Sequence, residues 1–158
     1  MNQRWGKPTD LGIDTWSAAS IVAEIVQFSR FEKAFHLMAY LGLLPSESSS
    51  GKRISRGAIS KMGNTRVRRL LVEAALKYRC APNCASVTLK RRWKDLPEEI
   101  VEHAWKAQLR FNRRYHRMRS KGKPVNVITI AIARELVGFI WAIATQIERE
   151  SNQKSQVA

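Results

Sequence analysis

Apolar side chains recur along most of this chain at the spacing of helices that bury one face. Between residues 67 and 78, and again between residues 100 and 118, apolar residues fall three and four positions apart. Because such positions lie on one side of an α-helix, both stretches predict amphipathic helices. Residues 125–150 are apolar on nearly every side, which predicts a helix at the centre of the fold.

Helix-capping residues indicate where the first helices begin and end. Asp14 or Thr15 can cap a first helix, and Asn64 can cap a third. Residues 29–32, Ser-Arg-Phe-Glu, match a capping box and predict the start of the second helix. Gly42 can end that helix in the left-handed conformation. These signals divide the first half of the chain into three helices.

The second half of the chain adds further helices. A short basic helix is expected at residues 87–93. Pro97 suits the first position of a longer helix, since Glu98 and Glu99 then lie at the positive end of its dipole. Residues 121–124, Lys-Gly-Lys-Pro, are expected to end it. We therefore predict an all-α fold of about six helices around the apolar C-terminal helix.

Residues 43–63 break the helical pattern. They are rich in serine, glycine and basic residues, and serine and glycine favour turns. The stretch could hold a short hairpin, but we expect it to be mainly a long basic Ser/Gly loop, and such loops are usually functional or disordered. The predicted helical domain spans residues 11–150, between a stub at residues 1–10 and a disordered polar tail at residues 151–158.

The chain carries a large and unevenly distributed positive charge. Its 28 Lys and Arg residues against 13 Asp and Glu residues give a net charge of +15. Residues 52–94 contain 13 basic residues and a single acid, Glu73, and residues 106–123 contain 8 basic residues and no acid. Clusters of this kind repel themselves in a compact fold and are typical of proteins that bind a polyanion. Nucleic acid is the leading candidate partner, and an anionic membrane surface is the second.

Other signals argue against a metal site, secretion and a membrane span. Cys80 and Cys84 could supply only two metal ligands, and the histidines are scattered, so we predict no metal or cofactor in this chain. Two cysteines and no apolar leader fit a cytoplasmic protein. Residues 125–147 are interrupted by Arg134 and Glu135, which suits a buried helix better than a membrane span.

The loop and its flanks resemble one known family. Residues 45–64 read PSESSSGKRISRGAISKMGN, which closely resembles the C-terminal domain of Piv-like, bridge-RNA-guided insertion-sequence transposases, insertion-sequence family one-hundred-and-ten. The likeness extends to residues 22–25, 29–31, 38–43, 68–75, 105–108, 122–124 and 133–136. No single motif decides the match, but their order and spacing over roughly residues 11–147 are specific.

The resemblance implies a DNA transposase or recombinase that excises and inserts a mobile element. Members of the family that this chain resembles consist of two parts. The N-terminal half is a RuvC-like nuclease domain with acidic metal ligands, and the C-terminal half supplies a serine nucleophile. That serine corresponds to Ser50, which precedes Gly51 here. Attack by its hydroxyl on a DNA phosphodiester would join DNA covalently to the protein. The implied partners are DNA, a structured guide RNA and further copies of the chain on DNA, with Mg²⁺ expected only in the nuclease domain.

The candidate catalytic residue is therefore Ser50, with Ser49 and Ser60 as rivals in the same loop. Serines in such loops are more often turn residues, which keeps a purely structural role open. The basic residues expected to bind nucleic acid lie in the loop, on the third helix and on one face of the long helix after Pro97. They are Lys52, Arg53, Arg56, Lys61, Arg66, Arg68, Arg69, Arg110, Arg113, Arg114 and Arg117. Trp93, Trp105 and Tyr115 could stack on unpaired bases, but their spacing favours the core.

Two departures from the family pattern support a second hypothesis. No acidic nuclease domain precedes residue 11, so we expect the chain to be inactive alone, as a truncated copy or an isolated domain would be. Residues 11–20 also lack the Gly-rich turn that relatives often have at that position. The alternative is a non-catalytic basic module that binds nucleic acid. A membrane-surface protein is less favoured, because the basic helices lack a broad exposed apolar face.

Overall fold

The computed structural model describes residues 13–50, 53–80 and 97–156. Within them the fold is mostly helical, as predicted, and a two-stranded sheet interrupts the helices. The elements in chain order are α1 (Thr15–Ile25), α2 (Ala34–Tyr40), β1 (Pro45–Ser50), β2 (Arg53–Ile59), α3 (Thr65–Leu76), a short 3-10 helix (Lys77–Arg79), α4 (Glu98–Ser120) and α5 (Val125–Gln156). The predicted stub at residues 1–10 and the predicted basic helix at residues 87–93 lie outside the described residues.

The long apolar helix α5 lies at the centre of the described core. α2, α3 and α4 each pack against it, and its side chains Ile128, Ile132 and Leu136 are fully buried. Burying each such side chain contributes about 1.5–3 kcal/mol to folding. Length and composition alone would also let α5 cross a membrane. Its contacts with three helices, and the charged residues Arg134 and Glu135 in its first half, are those of a core helix.

The predicted caps of α1 and α3 are confirmed. Asp14 accepts a hydrogen bond from the Ser17 N–H at 2.7 Å, and Asn64 accepts one from the Val67 N–H at 3.0 Å. The Ser17 N–H lowers the pKa of the Asp14 carboxyl, because the hydrogen bond favours the charged form. Gly42 follows α2 with a φ of 65°, the left-handed conformation that the sequence predicts.

The predicted capping box, Ser29 with Glu32, is wrong. α2 begins only at Ala34, and the residues before it form turns. The N–H groups of Phe28 and Ser29 instead donate to the two carboxylate oxygens of Glu148, each at 2.8 Å. The N–H of Ser29, which the capping box assigned to Glu32, is thus bound by a carboxylate 119 positions further along the chain. The tertiary contact overrides the local signal.

The C-terminal helix extends beyond its predicted end. α5 continues through Gln156, so residues 151–156 are helical where a disordered tail was predicted. The residues there include glutamine and lysine, which favour helices. The Ser155 hydroxyl donates to the Ser151 carbonyl at 3.0 Å, and the Gln146 amide donates to the Glu150 carboxylate at 3.3 Å. The polar composition of residues 152–155 correctly indicates that they are exposed, but an exposed polar segment can still be helical.

The predicted long loop is largely an antiparallel hairpin. Ser50 at the end of β1 is paired with Arg53 at the start of β2. Pairing is irregular between Pro45 and Glu47, where the hydroxyl of Ser46 donates to the Ala58 carbonyl at 2.9 Å. A Cβ atom on Gly57 would approach that hydroxyl to 2.6 Å, so a larger residue there would have to displace the Ser46 side chain. The serine-rich sequence of β1 does not alternate between apolar and polar residues, so the sequence favoured a loop over the hairpin.

Candidate nucleic-acid interface

The hairpin is bound to the helical core at its root, where α2 leads into β1 and β2 leads into α3. The N–H of Ser60 donates to the Leu44 carbonyl at 2.8 Å, and the N–H of Lys61 donates to the Gly42 carbonyl at 3.2 Å. A Cβ on Gly42 would lie 2.0 Å from the carbonyl oxygen of Met62, so the two backbone segments are in direct contact. The hairpin therefore leaves the core from a fixed base.

Arg68 lies beneath this root and has a structural role. It is 9% exposed, and its guanidinium donates to the Leu41 carbonyl at 3.0 Å and to the Thr65 hydroxyl at 3.1 Å. Among the described residues no carboxylate forms an ion pair with it. The sequence predicts a phosphate ligand at this position, but Arg68 instead joins the end of α2 to the start of α3.

Arg66 and Arg69 lie on the exposed side of α3, each with a carboxylate neighbour. Arg69 Nε lies 2.8 Å from Glu73 Oε1, and this hydrogen bond raises the pKa of the arginine. Arg66 Nη1 lies 3.8 Å from Glu24 Oε1. Exposed ion pairs are weak, so a phosphate group can compete for either arginine. Both remain candidate ligands, with part of their charge balanced.

The four arginines predicted to share a face of α4 separate into two pairs. Arg110 donates to one carboxylate oxygen of Glu135 at 3.0 Å, and Arg114 donates to the other. The Glu135 side chain is 18% exposed, so water screens this charge only partly. Arg113 and Arg117 are exposed, and neither forms an ion pair with another described residue.

We use the term basic turn for five cations on the last two turns of α4 and in the turn that leads into α5. Its members are exposed, and none has a carboxylate partner within the described part of the chain. They are Arg113, Arg117, Arg119, Lys121 and Lys123. The last three were not among the predicted ligands, although the acid-free run over residues 106–123 contained the signal. The turn is open, since a Cβ on Gly122 would meet no atom within 4 Å.

The three candidate serines occupy different parts of the hairpin. Ser50 ends β1, Ser49 is paired with Ile54 one step further in, and Ser60 lies at the root with its N–H already bonded. The side chains of Ser49, Ser50, Arg53 and Arg56, and the whole of Lys52, lie outside the described part of the structure. Lys61 is exposed beside the root, with a φ of 56°.

Of the aromatic residues that could have stacked on bases, Tyr115 lies in the core, as its spacing predicts. Tyr115 is 7% exposed and belongs to the core with Phe111, and Trp105 is half-buried. Trp93 lies outside the described residues. Exposed aromatic side chains occur elsewhere, on α1 and α2.

Comparison with known proteins identifies the family. Residues 10–87 match the family model described as Transposase IS116/IS110/IS902 family. The chain belongs to this transposase family. The matched segment contains α1, α2, the hairpin and α3, so the family signature spans the hairpin and its root.

Individual relatives of this transposase domain agree. It is 41% identical over 141 residues to y4qE of Sinorhizobium fredii, a protein named as a transposase, in a match covering 89% of this chain and 36% of that protein. It is 30% identical over 137 residues to a protein of Pseudomonas aeruginosa named as a family 20 transposase, covering 85% of this chain and 33% of that one. A shorter match, 34% over 64 residues, is to the transposase of insertion sequence element IS1111A from Coxiella burnetii. The transposase domain thus spans about a third of the length of the first two relatives.

Proposed function

We propose that this transposase domain binds DNA, and a structured guide RNA, chiefly through the basic turn. The observation that supports the proposal is a group of five exposed cations without a carboxylate partner among the described residues. DNA carries about one negative charge per 1.7 Å of its axis, so such a surface gains affinity by releasing counterions. The cations of α3 and Lys61 add a second, partly balanced surface.

We further propose that Ser50 is the nucleophile of DNA strand transfer. Its place at the end of β1, on a hairpin with a fixed root, supports this assignment, because a nucleophile must be held at the phosphate. In the step proposed, Ser50 Oγ forms a bond to phosphorus while the bond from phosphorus to one bridging oxygen breaks. The hydroxyl proton passes to a base and the leaving oxygen takes up a proton. Nearby arginines would stabilise the negative charge of the transition state.

Phosphoryl transfer in this proposal also needs Mg²⁺ and a base. Within the described residues no three His, Cys, Asp or Glu side chains lie close enough together to hold a metal ion. We propose that the metal is held by an acidic nuclease domain, which acts together with this chain and with further copies of it on DNA. In that arrangement the present domain contributes the serine and the cations that position the DNA.

The binding proposal is tested by measuring the affinity of the chain for labelled duplex DNA at increasing salt concentration. Neutralising several phosphates predicts a steep linear fall of log affinity with log salt. A nearly flat dependence would contradict the proposal, because affinity would then not come from phosphate neutralisation.

The nucleophile is tested by mixing the chain with an acidic nuclease domain of the same family, Mg²⁺, guide RNA and labelled DNA. The expected product is a protein–DNA adduct that survives denaturing electrophoresis and disappears in Ser50→Ala. Ser49→Ala and Ser60→Ala serve as matched controls and should keep the adduct. An undiminished adduct in Ser50→Ala would reject the assignment. Salt-dependent binding with no adduct in any of the proteins would favour the non-catalytic module.

A further inference from the structure

A guanidinium stacked on two aromatic rings lies at the surface beside the hairpin root. The central carbon of the Arg30 guanidinium lies 4.6 Å from the ring centroid of Phe31 and 4.9 Å from that of Tyr40. The two ring centroids are 5.4 Å apart, with the rings tilted by 52°. We term these three residues the Arg30 platform.

The backbone beneath the Arg30 platform is held from several sides. The indole N–H of Trp141 donates to the Phe31 carbonyl at 3.0 Å, and Glu148 binds the N–H of Ser29, the residue before Arg30, at 2.8 Å. Tyr40 ends α2 at the hairpin root, where a Cβ on Gly63 would approach its carbonyl oxygen to 1.9 Å. A ligand that stacks here would therefore cost little conformational entropy.

The Arg30 platform is accessible, and the chain segment that carries it has further exposed aromatic and basic side chains. Arg30 is exposed and forms no ion pair within the described part of the chain. Tyr40 is 39% exposed. Phe35 on α2 is 56% exposed and its ring meets that of His36, while Lys33 is exposed before the helix. Exposed aromatic groups indicate a binding surface, and the cations around them select an anionic partner.

We propose that the Arg30 platform binds an unpaired nucleotide of the nucleic acid. The base would stack on the open face of the guanidinium or of the Tyr40 ring, and the phosphate would accept hydrogen bonds from the guanidinium N–H groups. In a duplex the faces of each base are covered by its neighbours, so the platform discriminates in favour of unpaired strands. This inference rests on the proposed nucleic-acid binding and adds a preference to it.

The test compares the affinities of the full chain for labelled oligothymidylate of about 12 nucleotides and for a duplex of the same length. Tyr40→Ala is expected to lower the single-strand affinity about tenfold, with less than a twofold change for the duplex. Arg30→Lys keeps the charge but loses the planar group, and should lower the single-strand affinity about fivefold. It also keeps the proposal testable if Tyr40→Ala unfolds.

Arg113→Ala on the basic turn is the matched control. It removes a phosphate ligand away from the rings, so both affinities should fall together and their ratio should stay constant. The inference is overturned if neither Tyr40→Ala nor Arg30→Lys changes that ratio, or if the variants change only the oligomeric state in light scattering, which would make the platform a protein contact. If the wild-type chain binds neither nucleic acid, the proposed function fails as well. Steep salt dependence with an unchanged ratio rejects this inference alone.

Discussion

Two basic regions of the molecule look alike in sequence and differ in the fold. Around α3, Arg68 is buried under backbone and hydroxyl oxygens, and Arg69 pairs with Glu73. On the basic turn, Arg113 and Arg117 have no carboxylate partner among the described residues. A cluster of positive residues in sequence thus combines cations that stabilise the fold with cations that can bind phosphate. The two groups of cations are distinguished by whether each side chain is bonded to other groups of the protein.

The largest effect on stability is expected from Arg68→Ala. The substitution leaves the Leu41 carbonyl without its hydrogen bond and opens a cavity under the hairpin root, which should lower the free energy of unfolding by about 3 kcal/mol. Urea denaturation measures this loss. Arg66→Ala, on the exposed side of the same helix, is the control and should leave the unfolding midpoint unchanged. Equal losses in the two variants would remove the distinction between buried and exposed arginines of α3.

An intermediate effect is expected where Glu135 joins Arg110 and Arg114. Glu135→Gln removes the charge that binds both arginines, so stability should fall by about 1 kcal/mol while affinity for duplex DNA rises a few-fold. Thermal melts and binding titrations on the same preparation test these opposite signs. Glu102→Gln breaks the exposed pair with Lys106 and should leave stability unchanged. A fall in DNA affinity in Glu135→Gln would show that the paired arginines need Glu135 in order to bind.

The smallest effect concerns the acid that caps α1, a helix that packs against α3. The Ser17 N–H lowers the pKa of Asp14 in the folded state below its ordinary value of 3.8. The stabilisation is therefore fully present above pH 3.8 and is lost as the pH falls through the lower folded-state pKa. Asp14→Asn keeps a cap without a charge, so the difference in stability between the two proteins should shrink below that pH. A constant difference down to pH 2 would mean that the carboxylate charge contributes nothing.

Local signals predicted the parts of the fold that depend on near neighbours. Asp14 and Asn64 cap their helices by bonds to residues three positions away, and Gly42 supplies a positive φ. Sequence alone identified Asn64 and Gly42, and it offered Asp14 as one of two candidate caps. Glu148 binding the Phe28 and Ser29 N–H groups could not be predicted, because the partners meet only after the chain has folded.

The candidate site was predictable to a similar extent. The family resemblance predicted Ser50 as the nucleophile, in a loop of basic residues. The family itself is confirmed. Which arginines are buried was not predictable from the sequence. Arg68 and Arg69 are adjacent, yet Arg68 is buried and Arg69 is exposed. One residue of helix rotates a side chain by about 100°, and the way α3 packs in the fold determines which of the two is buried. The Arg30 platform was missed because its two rings are nine residues apart.

Whether the basic turn contacts DNA can be measured from the salt dependence of DNA binding in the double variant Arg113→Ala, Arg117→Ala. Losing two phosphate contacts should reduce the slope of log affinity against log salt by about 1.8, with the thermal midpoint unchanged. Lys106→Ala, which removes a cation of α4 outside the basic turn, should leave the slope as in the wild type. An unchanged slope in the double variant, or an equal reduction in Lys106→Ala, would contradict the assignment of the basic turn as the surface that contacts DNA.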